Sequence, residues 1–308
     1  MLFANKTNKN SLCAFGFYDD GVCFVRVSQK KNSKPTVEAL EFCSGDPGVH
    51  PLLLKQLLKS QKLKNLNCTT FLKSKDYQFL STTKPEVPDE DLVNVLQWEI
   101  KDLLAQPIEN VTIDTFYEPD YGIEKKNINI VSANKEKIAD VAKTFEEAKL
   151  KLSIIDIEEM ALRNLAILDA KEKLGLVTLW LDADYAKVLF FSGENLHLTR
   201  NIEKGYNAIA NSITGMDDIA LEVQRSIDYF ERHFNQIPIS NLVLMPMGLE
   251  SSGFIDFLNK NLSLPCHEFD IKNEVNGLDE IDQENIARFL LTVGSGLRQQ
   301  KGEKNAAS

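Results

Sequence analysis

Glu158-Glu159 are the residues whose type and spacing first suggest acid–base chemistry in this 308-residue chain, because proton transfer works with carboxyl groups held close together. They also open an amphipathic segment, however, where acidic residues commonly stand in solvent and offset the helix dipole. A solvated first turn is therefore the expectation. Gly294-Ser295-Gly296 has no following Lys-Ser/Thr and no preceding strand, so it reads as small residues packing a helix rather than as a phosphate loop. Arg225 and Asp228, three apart on one helix, read as an ordinary surface pair. His233, between Phe230 and Phe234, reads as a partly buried packing residue. Trp98 would be core in most helices of its kind, and is also the large residue best suited to anchor a partner.

Metal chemistry finds little support. His50, His197, His233 and His267 are scattered, as are Cys13, Cys23, Cys43, Cys68 and Cys266, with no C-x-x-C, no H-E-x-x-H and no close cluster of three or four ligands. No metal site and no catalytic residue is expected, and the odd number of cysteines points to buried free thiols of a reducing compartment. Charge excludes another class. Against 35 Lys+Arg stand 45 Asp+Glu, a net −10, which argues against a nucleic-acid footprint. The split is uneven: residues 1–80 carry net +6 and the remainder −16. The plain reading is a solvated surface. The sharper one is a basic face, with Lys55, Lys59, Lys62 and Lys64, beside anionic lipid. No stretch reaches the ~20 apolar residues of a membrane span, and none has signal-peptide character. A cytoplasmic location is expected.

The elements that position these residues follow from periodicity. Leu12 to Tyr18 and Val22 to Val27 flank Asp19-Asp20-Gly21, a hairpin signal. Leu176 to Leu181 and Ala186 to Phe191 flank a second acidic turn at Asp182 to Asp184, and Leu196 to Ile202 supplies a third strand. Both halves thus begin alike, a coarse internal duplication. Helices are expected at Asp89 to Leu104, with Leu92, Val95, Leu96 and Leu103 on one stripe, at Lys135 to Lys149 and at Asp217 to Asn235. Strands Val111 to Tyr117 and Asn127 to Ser132 meet across Asp120-Tyr121-Gly122. A short strand, Ile154 to Ile157, leads into a helix from Glu158 to Asp169, and Ala170 to Gly175 is the expected hinge. Asn241 to Met245 is a buried-type strand, followed by helices Phe254 to Asn261 and Ile286 to Gln299.

In this order, four stretches make the chain resemble the PilM branch of the actin-like ATPase superfamily, related to FtsA. They are Val95 to Leu104 followed by Val111 to Thr115; Val131 to Lys135 with Ser153 to Glu158 and Ala161 to Asn164; Leu181 to Asp184 with Thr199 to Gly205; and Glu222-Val-Gln-Arg-Ser-Ile-Asp-Tyr-Phe230. The match is collinear from about residue 11 to 299. It implies an α/β, actin-like (ribonuclease H-like) two-lobed fold: a first lobe at 11–84 and 153–175, an inserted α+β subdomain at 85–152 and a second lobe at 176–299, while the polar composition of 300–308 reads as a disordered tail. The acidic, glycine-poor character is similar to the mannose-sensitive haemagglutinin (MSHA) pilus members of that branch.

The resemblance also marks departures at the nucleotide site. Backbone amides must approach phosphates closely at two hairpin turns, each with an Asp for Mg²⁺. Here Gly16 stands at the usual Asp of the first hairpin and Tyr18 at the usual Gly, leaving Asp19 or Asp20 as substitutes only if the turn shifts. In the second, Asp182 matches while Asp184 takes the Gly position and would repel phosphate. Only Gly248 of the adenosine-loop glycines remains, behind Pro246-Met247. No cofactor is therefore expected, and the chain reads as a non-hydrolysing member. The alternative is an active ATPase in which Asp19 or Asp20, Asp182 and Gly248 still hold Mg-ATP, with Asp182, Asp184 and Gly248 lining the nucleotide site. A sugar- or acid-kinase relative is a third reading, for which no catalytic base is evident. The resemblance implies a partner as well: the cytoplasmic tail of a PilN-like bitopic inner-membrane protein, held in a groove between residues 11–84 and 85–152, with Trp98 and Leu103 as apolar anchors and the protein peripheral to the inner membrane.

Overall fold

The computed structural model of the chain describes residues 11–30, 33–61, 67–117, 127–169, 175–234 and 237–298. The expected turn at Asp120 to Gly122, most of the expected hinge at 170–175, Lys62, Lys64 and the tail lie outside these residues.

Asp19-Asp20-Gly21 turns the chain as its composition predicts, joining β1 (Ser11–Tyr18) to β2 (Gly21–Ser28) in antiparallel register with Tyr18 opposite Gly21. β3 (Thr36–Ser44), α1 (His50–Ser60) and β4 (Asn67–Leu72) follow. A small unit comes next: β5 (Tyr77–Thr83), α2 (Asp89–Ile100), β6 (Val111–Tyr117) and β7 (Asn127–Asn134). The chain returns through α3 (Lys135–Glu147) to β8 (Lys151–Ile157) and α4 (Glu158–Asp169). The second half repeats the opening pattern with β9 (Gly175–Leu181), β10 (Ala186–Ser192) and β11 (Asn195–Ile202). It continues through α5 (Tyr206–Asn211), α6 (Ile213–His233), β12 (Ile239–Leu244), α7 (Ser252–Asn261), β13 (Cys266–Glu268), α8 (Ile271–Glu274) and α9 (Gln283–Gly296).

The two halves build matching sheets, ordered β3-β2-β1-β4-β8 and β11-β10-β9-β12-β13, with a third sheet β5-β7-β6 beside them. The central strands are buried on both faces, which is why β9 reads as a continuous apolar run instead of an alternating one. Alternation within β1 sends Cys13 and Phe15 to a core shared with Leu54 and Leu57 of α1 and Phe145 of α3. α4 and α9 lie between the two large sheets, where Leu162, Leu165, Leu290 and Leu291 join Val25 of one sheet and Trp180 and Leu189 of the other. The far side of the second sheet packs on α6 and α7 through Ile219, Val223, Phe230 and Leu258. Gly294-Ser295-Gly296 does pack a helix: a side chain at Gly294 would stand 2.3 Å from the Ala161 carbonyl, so α9 crosses α4 only because that position is bare.

Several elements depart from expectation. β3, α1, β4 and β5 have no counterpart in the sequence reading. β5 belongs to the small sheet, although it lies in the 11–84 segment assigned to the first lobe. α3, although within 85–152, buries Phe145 in the first-lobe core. α2 ends at Ile100, so Leu103 is not on its apolar stripe. That stripe is Leu92, Leu96 and Ile100, packed on Ile128 and Ile130 of β7.

Candidate functional site

Three loops gather around the N-terminal half of α9. At the first hairpin, Arg288 of α9 donates to the Asp20 carboxylate at 2.6 Å and lays its guanidinium over the Phe42 ring. Lys75 approaches Asp19 at 3.3 Å. At the second hairpin, Asp182 accepts from the Ala183 N–H at 2.8 Å and faces Lys73 at 3.9 Å, while Asp184 accepts from the Asn207 side chain at 3.0 Å. Gly248, at φ +74°, forms the third loop, and a side chain there would meet Ala287 of α9. Asp182, Asp184, Arg288 and Glu284 all act electrostatically on Tyr206, whose phenol is pushed up first by burial and then by the two aspartates. The sequence-predicted residues of the cleft thus come together, but each hairpin carboxylate already has a partner from the protein itself. Tyr18 reinforces this. Its ring lies under the Lys73 ammonium at 4.5 Å, and with Thr292 it fills the space in front of Gly16, where a side chain would come within 2.8 Å of both.

Deeper in the cleft, the structure corrects the expected solvated turn. Glu158 and Glu159 are almost wholly buried, and so is Lys187 of β10. Lys187 donates to Glu159 at 2.6 Å and to Asn201 of β11 at 3.0 Å, and lies 3.6 Å from Glu158. Glu158 accepts from Ser74 at 2.9 Å and from the Tyr185 hydroxyl at 2.6 Å; Glu159 accepts from the Tyr77 hydroxyl. Burial raises the Glu158 carboxyl against the opposing pull of Lys187. Burial and the two glutamates hold the Tyr77 phenol well above its ordinary range, and Tyr185 is raised by burial and Glu158. Two carboxylates share one ammonium, so the cluster keeps a residual negative character that its hydroxyl donors absorb. The helix dipole alone would favour acidic residues here, but α4 begins at the junction of all three sheets, where no solvent reaches. A sequence signal for Lys187 did exist: one cation inside the apolar run Ala186 to Phe191 has to find a buried anion.

The candidate anchors sit on the small unit's surface. Trp98 is 72% and Leu103 61% exposed, with Lys101 over the indole at 5.1 Å. Trp98 is therefore not core. Leu103 is held by its N–H to the Ile100 carbonyl at 2.8 Å, and its own carbonyl accepts from Gln78 of β5 at 2.8 Å. Two minor expectations fail. Arg225 pairs with Glu222 rather than Asp228, which accepts from Gln224, and His233 is exposed and stacked on Tyr229 at 4.0 Å. The five cysteines are buried free thiols, and burial pushes Cys13 and Cys23 up to about 12. Among the described residues no group of His, Cys, Asp or Glu is arranged to hold a metal, and no helix is long and apolar enough to cross a membrane.

The paired hairpin sheets, with α4 and α9 between them, define an actin-like ATPase fold. Two solved structures bear this out. The chain is similar to a structure of the PilM-PilN type IV pilus biogenesis complex, at 18% identity and a TM-score of 0.74, covering 93% of this chain and 98% of that one. It is also similar to a Bacteroides thetaiotaomicron protein of actin-like ATPase fold and unknown function, at 11% identity and a TM-score of 0.53, covering 95% and 99%. No family model and no curated protein matches the sequence.

Proposed function

We propose that the chain is a scaffold of a type IV pilus assembly platform, binding the cytoplasmic tail of a PilN-like bitopic inner-membrane protein and working without ATP turnover. The similarity over nearly the full length of both chains to a structure of a PilM-PilN complex is the observation that carries this reading. The exposed Trp98 and Leu103 supply the apolar anchors such a tail needs, since a segment that orders on binding must recover its lost entropy through buried side chains. Its location is then at the cytoplasmic face of the inner membrane. The acidic, glycine-poor character of the chain favours the MSHA-type systems, whose MshI it resembles in that respect.

The pseudo-ATPase half rests on the cations in the cleft. Arg288, Lys75 and Lys73 stand at the carboxylates that would otherwise hold Mg²⁺, and Lys187 pairs with the glutamates behind them. Mg-ATP would have to displace these contacts and accept Asp184 beside its phosphates. A pulldown with the tail of the PilN-like protein tests the scaffold: capture by the wild-type chain and loss with Trp98→Ala/Leu103→Ala is the expected result, and capture unaffected by that pair overturns the groove. Calorimetry with Mg-ATP tests the other half. A silent titration is expected, and micromolar binding overturns the reading of a degenerate nucleotide site.

A further inference from the structure

We propose that β11 and the outward face of α6 form a binding site for a phosphate-type oxyanion, on the side of the second sheet away from α4 and α9. An open depression of about 260 Å³ lies there, lined by Arg200, Arg225, Asp228, Tyr229, Arg232 and His233. That volume suits a phosphoryl group and its immediate attachment better than a whole apolar ligand, whose pockets begin at about 300 Å³. Three guanidinium groups converge on it from two elements. Arg200 comes from the edge strand; Arg225 and Arg232 are seven residues apart on α6, two turns along one face.

Two of the three guanidinium groups are held in place. Arg200 lies over the Tyr229 ring at 4.4 Å, and His233 stacks on the same tyrosine at 4.0 Å while its ring nitrogen meets the Tyr229 carbonyl at 2.8 Å. An aromatic floor orients an arginine fork without consuming its N–H donors. Among the described residues, no ion pair engages Arg200 or Arg232. Arg225 is paired with Glu222 through one nitrogen at 2.5 Å, and Asp228 is occupied by Gln224 at 2.7 Å. The depression therefore keeps a net positive charge in a chain that is net −10.

Phosphate fits this arrangement better than carboxylate. A carboxylate offers two oxygens and satisfies one fork, whereas a phosphate dianion offers three terminal oxygens and two charges, enough for more than one guanidinium. The Glu222-x-x-Arg225 spacing that helped mark the family resemblance thus has a local use: Glu222 holds Arg225 at the rim. This site is independent of the pilus reading and of the cleft.

Calorimetry of the full chain with inorganic phosphate at low ionic strength tests the site. Saturable binding is expected, weakened at least about tenfold by Arg200→Gln/Arg232→Gln. Thermal melts show whether the variant is folded, and Arg232→Gln alone, at an exposed position with no packing role, provides a second reading. Flotation with vesicles containing phosphatidic acid separates the sources: arginine-dependent flotation assigns the phosphoryl group to a lipid headgroup, and phosphate binding without flotation assigns it to a soluble ligand. No heat with phosphate, equal binding by the folded double variant, or binding of glutamate-rich peptides in place of phosphate overturns the proposal.

Discussion

Lys187 Nζ lies 2.6 Å from Glu159 Oε1, and neither side chain is more than 1% exposed. Their elements come from opposite sides of the interlobe cleft: β10 belongs to the second sheet, and α4 follows directly from β8 of the first. Tyr77, which donates to the same Glu159, comes from the small sheet. One charge pair and its hydroxyl donors therefore join the three sheets. Buried ion pairs stabilise little relative to apolar packing, because desolvation offsets their attraction. The value of this one is positional: any relative movement of the sheets has to expose or unpair a buried charge, so the closed arrangement is the one in which all partners meet.

Removing one member should be far worse than removing the set. Lys187→Met leaves two buried carboxylates facing each other and is expected to cost about 3 to 5 kcal/mol in denaturant unfolding. Lys187→Met combined with Glu158→Gln and Glu159→Gln should recover most of that loss, since the amides keep hydrogen bonds to Ser74, Tyr77 and Tyr185. Additive losses across the three changes would show that the groups do not act as a unit.

The proposed anchors call for the opposite result. Trp98→Ala and Leu103→Ala remove exposed side chains, so chemical denaturation should shift by no more than about 0.5 kcal/mol for either. Their effect should appear only as lost capture of the PilN-like tail. A large stability loss would mean that these residues support the small unit itself.

The hairpins were legible because each rests on a local signal, an acidic turn between apolar strands, and both came out with the predicted strands. The duplication followed from them. The cluster at Glu158 was not, because its burial depends on where α4 begins relative to two other sheets, and nothing within four residues of Glu158 encodes that. The same holds for Arg288 and Asp20, 268 positions apart and 2.6 Å distant. Leu103 shows a different failure. The apolar spacing extends past Ile100, but the turn that ends α2 carries Leu103 off the stripe, and periodicity cannot see a helix end without a cap residue. β3, β4 and β5 lay in a stretch where polar and apolar residues mix too evenly for a period to stand out, whereas α1 carries Leu53, Leu54 and Leu57 at helical spacing, a local signal that was there to be read.

The crossing of α4 and α9 offers a third test. A methyl group at Gly294 would sit 2.3 Å from the Ala161 carbonyl, backbone that cannot rotate away. Gly294→Ala must push the helices apart and also strains the Asn164 side chain, which donates to the Gly294 carbonyl at 2.9 Å. Overpacking of this kind costs about 1 to 3 kcal/mol, read as a lower thermal midpoint. Gly253→Ala, where open space surrounds the added methyl, should cost no such penalty, and equal effects at the two sites would refute the packing argument.

His197 makes stability depend on acid in a defined direction. Its ring is buried against Phe230 and Phe234, and burial lowers it from 6.5 to about 4. Between those values the unfolded chain binds a proton that the folded chain does not, so stability rises with pH across the window and falls as pH drops from 6.5 toward 4. The contribution is on the order of 3 kcal/mol over the full window. Glu158 acts with the opposite sign: its carboxyl is raised, so the folded chain holds the extra proton, and stability falls as pH climbs from the ordinary glutamate range to the raised value. His197→Phe should therefore flatten the acid limb of unfolding free energy against pH while leaving the slope due to Glu158, and Glu158→Gln should do the reverse. Unfolding free energies measured from pH 4 to 7 separate the two, and a His197→Phe curve parallel to wild type would show that the ring takes up its proton as readily in the folded chain as in the unfolded one, against the lowering by burial.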